Sequence, residues 1–178
     1  MDSITEIRVH GRGGQGAVTT AELIAIAAFK DGKFTQAVPN FGPERRGSPV
    51  EAYCRVAKDF ITLRTQVYDP DYVIVLDDSL PHVVDITRGL TKSGMILINS
   101  EERQKFGSFP TYTLDASKIA MEVLGRPIVN TVMLGAFAKA TKLISLKSLI
   151  EAIGERFEGA IRDKNIEAIK RAYEETRV

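Results

Sequence analysis

The stretch from Glu6 to Lys30 limits the possible folds more than any other part of the chain. Glu6-Ile7-Arg8-Val9-His10 alternates and is β-prone. It runs directly into Gly11-Arg12-Gly13-Gly14-Gln15-Gly16. From Ala17 to Lys30 the residues are apolar apart from Thr19, Thr20 and Glu22 inside the run, which predicts a helix buried on most sides. Asp31-Gly32 is a helix stop. Strand, glycine turn and helix follow one another without a linker. Glycines allow the tight turn, and the helix N-terminus behind it offers N–H groups and the positive end of the helix dipole to an anion or a carbonyl oxygen.

Gly11, Gly13 and Gly16 satisfy the G-x-G-x-x-G spacing of dinucleotide sites. Such sites need an acidic residue roughly 20 positions onward, at the end of the second strand, to hold the ribose. Here that region reads Phe34-Thr35-Gln36-Ala37-Val38-Pro39-Asn40-Phe41, with no acid before Glu44. The sequence therefore argues against a nicotinamide or flavin site. A purely structural turn, or a loop that meets a partner or an anionic ligand, remains.

The rest of the chain predicts an α/β fold, three-layer α/β/α, with a mixed, mostly parallel sheet and a helical C-terminal region. A strand is expected over Phe34 to Val38. Val50 to Val56 alternates, with Val50, Ala52, Cys54 and Val56 on one side and Glu51, Tyr53 and Arg55 on the other. Lys58-Asp59 reads as a tight turn into Phe60 to Arg64, giving an antiparallel hairpin. Tyr72 to Leu76 and Met95 to Asn99 are continuous apolar runs, as in strands covered on both faces. Between them, Asp77-Asp78-Ser79 offers caps for a helix reaching about Leu90. A short strand, Thr111 to Leu114, precedes Asp115, an N-cap for a helix to Leu124. Further helices are expected over Pro127 to Leu143, Ser145 to Phe157 and Asp163 to Glu175.

The 178 residues suit a single domain, 1–178. With 24 Lys and Arg against 23 Asp and Glu, the net charge of +1 argues against a general nucleic-acid binder. The single cysteine, Cys54, precludes an internal disulfide and any iron–sulfur cluster held by this chain alone. Two histidines, His10 and His82, leave little for zinc. No apolar run is long enough to cross a bilayer, and the first residues do not read as a signal peptide, so a cytoplasmic location is expected.

Asn40 to Pro49 is irregular and stiff with Pro and Gly, and Glu44-Arg45-Arg46 places adjacent guanidinium groups in it, suited to phosphate or carboxylate. His10 is expected to be an orienting residue satisfied by backbone, with proton carriage as the alternative. Asp77 and Asp78 end a strand where magnesium could be held, although capping by Asp78 or Ser79 is the stronger reading. Cys54 reads as a core residue, not a reactive thiol. Gly135, Ala136, Ala138 and Ala140 make one helix slim, and Asn130 and Thr131 near its start are polar within an apolar stretch. No residue is assigned as catalytic or as a metal ligand.

Three segments together carry a family resemblance. They are His10-Gly11-Arg12-Gly13-Gly14-Gln15-Gly16-Ala17, Gln36-Ala37-Val38-Pro39, and Phe41-Gly42-Pro43-Glu44-Arg45-Arg46-Gly47-Ser48-Pro49-Val50. Asp69-Pro70-Asp71, Leu114-Asp115-Ala116, Pro127-Ile128-Val129-Asn130-Thr131 and Leu134-Gly135-Ala136 extend it along essentially the whole chain. The sequence resembles the gamma subunits of 2-oxoacid:ferredoxin oxidoreductases. The resemblance implies an enzyme that oxidatively decarboxylates a 2-oxoacid with coenzyme A and passes electrons singly to ferredoxin. It implies alpha, beta and delta partner subunits that carry thiamine diphosphate, Mg and 4Fe–4S clusters, none of them bound by this chain alone. Pyruvate is the expected 2-oxoacid, with a branched-chain acid (2-ketoisovalerate) next. Gly11, Arg12, Gly13, Gly14, Gln15, Gly16, Glu44, Arg45 and Arg46 become expected contacts to coenzyme A or to partner subunits. The rival is an independent Rossmann-type nucleotide-binding protein.

Overall fold

Alternation along β1 (Thr5–Arg12) sends Ile7 and Val9 to one face of a sheet and Arg8 and His10 to the other, and the fold is organised around that division. The computed structural model describes residues 4–39 and 46–177. After β1 come α1 (Ala17–Lys30), β2 (Phe34–Pro39), β3 (Pro49–Ala57), β4 (Tyr72–Val75), β5 (Met95–Asn99) and β6 (Thr111–Leu114). Four helices follow: α2 (Ala116–Leu124), α3 (Asn130–Thr141), α4 (Leu146–Arg156) and α5 (Gly159–Glu175). The strands form one sheet in the order β2-β3-β1-β4-β5-β6. β3 is antiparallel to both β1 and β2, whereas β1, β4, β5 and β6 pair in parallel. The sheet is therefore mixed, and only β3 runs against the rest.

All five helices share one face, so the layer that the expected α/β/α arrangement puts on the other face is made by the 3₁₀ turn and the chain around it, not by α-helices. Ile7, Val9, Ala52, Cys54, Ile74, Leu76 and Leu97 meet buried residues of α1 and α3 in a single apolar core. Gly135 on α3 lies so close to α5 that an added Cβ would stand 2.2 Å from the Ile169 carbonyl oxygen. The slim face of α3 is thus used inside the domain. The expected cap is present, Asp115 accepting from the Lys118 N–H, and Ser145 caps α4 in the same way by accepting from the Ser148 N–H.

The opposite face has two parts. Under β4 and β5, Val73, Val75, Ile96 and Ile98 pack on Leu80, Ile86 and Leu90. Under β1 and β3 the face is buried but charged. Arg8 and Arg55 are both fully buried. Glu6 stands opposite Arg55, Arg8 opposite Tyr53, and His10 opposite Glu51 in the β1–β3 register.

Two sequence expectations are corrected. Phe60 to Arg64 forms no strand, because both edges of β3 are already occupied by β1 and β2. The chain instead runs back past the charged face, where the Gln66 carbonyl accepts from Arg55 Nη2 and the Leu63 carbonyl from Gln36 Nε2. The helix expected up to Leu90 is reduced to a single 3₁₀ turn, Leu80–His82. Arg8 Nη2 takes the carbonyls of Ile86 and Arg88, the first of which a helix would have turned to the Leu90 N–H, and Asp85 binds the Thr87 N–H and hydroxyl. Two further helix starts move: α3 begins at Asn130, not Pro127, and α5 at Gly159, not Asp163.

Candidate functional site

The glycine turn lies at the C-terminal ends of β1 and β4, the edge at which open α/β sheets bind ligands. Its shape is set by its two bulky polar residues. Gln15 Oε1 accepts from the Arg12 N–H at 2.7 Å, and Gln15 Nε2 donates to Asp77 Oδ2 at 2.8 Å. Arg12 reaches three ways: to the Gly47 carbonyl at 3.1 Å, the Ser79 hydroxyl at 2.6 Å and the Asp77 carboxylate at 3.4 Å. Burial pushes the Asp77 carboxyl up, but hydrogen bonds from Ser79 and Gln15 and the Arg12 charge outweigh it and hold its pKa below the usual carboxylate range. Asp77 is thus the anchor of the glycine turn. Asp78 accepts from the Ser100 hydroxyl and caps no helix.

The two marked loops meet. The Gly13 N–H donates to the Ser48 carbonyl at 2.8 Å and the Gly47 N–H to the Gly13 carbonyl at 3.0 Å. Arg46 is exposed and runs beside Gly14, its Cγ and Nε both 3.9 Å from where a Cβ would be. Glu44 and Arg45 lie outside the described residues. Gly16 caps α1 with φ +84°, and no side chain accepts a cap hydrogen bond there. That end of the helix is lined by Asn130, whose amide nitrogen stands 2.6 Å from the position of a Gly16 Cβ. The structure therefore gathers Gly11 to Gly16 and Arg46 at one edge. It also shows that Arg12 and Gln15 spend their polar atoms on the domain itself.

His10 borders this edge from below and is 2% exposed. Its Nε2 accepts from Arg8 Nε at 3.0 Å, so its proton sits on Nδ1, which faces Glu51 Oε1 at 3.7 Å. Burial, helped by the Arg8 charge and opposed by Glu51, pulls its pKa down to about 4. The ring is neutral and is oriented by side chains, not by backbone as the sequence suggested. Glu51 is itself held by Tyr53 and Arg88. Arg55 is satisfied by Glu6 at 2.7 Å, Gln36 at 3.0 Å and the Gln66 carbonyl. Sequence reading missed this network, although Arg8, His10 and Arg55 all sit at every-second positions of strands. Cys54 is wholly buried, and burial pushes its thiol up to about 12. Among the described residues, no group of three His, Cys, Asp or Glu could hold a metal ion, and no helix is long and apolar enough to cross a membrane.

The antiparallel β3, inserted beside the strand that carries the glycine turn, separates this domain from dinucleotide-binding Rossmann proteins. The family described as "Pyruvate ferredoxin/flavodoxin oxidoreductase" matches residues 6–175, and the chain belongs to it. The chain is 56% identical over 170 residues to the pyruvate synthase subunit PorC of Methanothermobacter thermautotrophicus, covering 96% of this chain and 94% of that one. It is 50% identical to the pyruvate/ketoisovalerate oxidoreductases common subunit gamma of Thermococcus kodakarensis, with 96% of each chain covered. The crystal structure of the pyruvate oxidoreductase subunit PORC from Thermotoga maritima superposes with a TM-score of 0.86 at 34% identity, covering 98% of this chain and 97% of that one.

Proposed function

We propose that the chain is the gamma subunit of a cytoplasmic pyruvate:ferredoxin oxidoreductase, which converts pyruvate, coenzyme A and oxidised ferredoxin to acetyl-CoA, carbon dioxide and reduced ferredoxin. The observation that carries the reading is the 56% identity to a pyruvate synthase subunit across nearly the whole of both chains. One buried thiol cannot hold an iron–sulfur cluster, so the electron carriers belong to partner subunits, alpha, beta and delta. Thiamine diphosphate with Mg, also on the partners, supplies the carbanion chemistry of decarboxylation.

This chain's part is to bind and position. The N-terminus of α1, which no side chain caps at Gly16, and the exposed Arg46 guanidinium beside Gly14 present positive potential on one edge, fit for the phosphates of coenzyme A or for a carboxylate of a partner subunit. Asp77, Arg12 and Gln15 keep that edge in shape.

A second reading has its own support. Its relative in Thermococcus kodakarensis is named as common to pyruvate and ketoisovalerate oxidoreductases. A shared gamma subunit is what substrate choice on the thiamine-bearing subunits would allow, and a branched-chain 2-oxoacid then becomes a second substrate.

Anaerobic purification of the native complex through this chain tests both readings. Coenzyme A-dependent reduction of a viologen dye is compared with pyruvate, 2-oxoisovalerate and 2-oxoglutarate. Activity on pyruvate supports the first reading, and activity on both of the first two supports the shared subunit. A solitary, inactive chain overturns both. In reconstituted complex, Arg45→Ala and Arg46→Ala should raise the KM for coenzyme A; loss of assembly instead would make the loop a subunit contact.

A further inference from the structure

We propose that the groove between the end of α2, the end of α4 and the start of α5 is a binding site for a small amphipathic organic anion. The proposal goes beyond the reading above and does not depend on it. The groove has a volume of about 490 Å³, within the range of small-molecule sites. Arg12, Gln15 and Arg46 of the glycine edge do not line it.

Its chemistry is one-sided. Arg126, Arg156 and Lys164 line it, and no carboxylate does among the described residues. Arg126 and Lys164 have no ion-pair partner among the described residues, and Arg156 has only Glu22, at 3.7 Å. Ile128 and Ile161 give it an apolar side and are 46% and 64% exposed. Three cations beside exposed isoleucines fit an anionic group joined to an apolar body.

A second observation points to a ligand. Asn130 lines the same groove, is 7% exposed, and its Oδ1 is buried with no hydrogen-bond partner. A buried acceptor without a donor is costly and uncommon. Thr131 and Asn165, which also line the groove, bond to each other at 2.6 Å, and Thr19, the third hydroxyl or amide side chain beside Asn130 in the lining, makes no hydrogen bond to it among the described residues. Oδ1 is closed off as the structure stands, so a ligand N–H or O–H, carried beside its anionic and apolar parts, reaches it only after Asn130 turns its amide toward the groove.

The probe 1-anilinonaphthalene-8-sulfonate has all three features: a sulfonate, a secondary N–H and apolar rings. Titrated into the full chain and into the assembled complex, it should bind saturably with one site in both. Arg126→Glu with Lys164→Glu, both exposed in the native protein, should weaken binding about tenfold or more. Lys118→Glu with Lys170→Glu makes the same charge change away from the groove and should leave binding unchanged. Octanoate should displace the probe and octanol should not. Equal weakening by both double variants, or equal displacement by octanol, would reduce the site to general charge or general apolarity and overturn the proposal. Binding to the isolated chain that vanishes in the complex would also overturn it, and would make the groove a subunit interface.

Discussion

Asn130, the first residue of α3, packs its amide against Gly16, the residue that opens α1, so closely that no side chain fits between them. The contact joins the glycine turn to the helical C-terminal layer across 114 residues of sequence, by their numbers 130 and 16. It explains why a glycine is needed there twice over, for its φ of +84° and for the absence of a Cβ.

Gly16→Ala should therefore destabilise the protein by about 2–4 kcal/mol, from left-handed backbone strain and overpacking together. Denaturant unfolding measures it. Gly16→Ala combined with Asn130→Ala should recover the steric part and leave only the backbone strain. Full loss in the double variant would show that the contact does not matter.

Asp77→Ala removes the acceptor that holds Gln15 and Arg12. The glycine turn should loosen while the core stays intact, since Asp77 lies at the sheet edge. The expected result is a fall of about 1–2 kcal/mol in stability, with a larger loss in complex assembly or in affinity for coenzyme A. Unchanged assembly and unchanged kinetics would mean that the turn does not need this anchor.

His10 makes stability depend on pH. Its folded pKa, about 4, lies below the value of 6.5 for a free imidazole. Between those values the unfolded chain binds more protons than the folded one, so the stabilisation is complete above about pH 6.5 and falls as the pH drops toward 4. By pH 5 the loss should be roughly 2 kcal/mol. His10→Gln keeps an acceptor for Arg8 Nε and cannot titrate, so its stability should change less between pH 7 and pH 5 by that amount. Parallel pH profiles for the two proteins would rule this out.

Cys54 should resist thiol reagents at pH 8 in the folded protein and react at once when unfolded. Its thiol is wholly buried and pushed up to about 12. Timed labelling with a disulfide reagent checks this, and rapid reaction of native protein would contradict the buried position.

Local pattern made much of the fold legible. The alternation of Val50, Ala52, Cys54 and Val56 fixed the inward face of β3, and Asp115 announced its helix by cap chemistry. The absence of an acid after Phe34 to Val38 already spoke against a dinucleotide site, and the antiparallel β3 gives the structural counterpart. Less was legible at the candidate site. Arg12 and Gln15 look in sequence like groups offered to a ligand, but long-range partners at Asp77, Ser79 and Gly47 consume them. The apparent helix after Asp77 failed because Arg8, 78 residues from Ile86 in sequence, claims its carbonyls.

The sequence by itself determined which residues are apolar, how they alternate, and where glycine, proline and capping side chains punctuate the chain, because each is a matter of neighbours a few positions apart. Only the tertiary structure decided that β3 slots between β1 and β2. That choice sets Glu6 against Arg55 and His10 against Glu51, and turns what looked like a polar strand face into a buried charge network. Strand pairing is settled by burial and hydrogen bonding summed over the whole sheet, and local pattern holds no record of that sum.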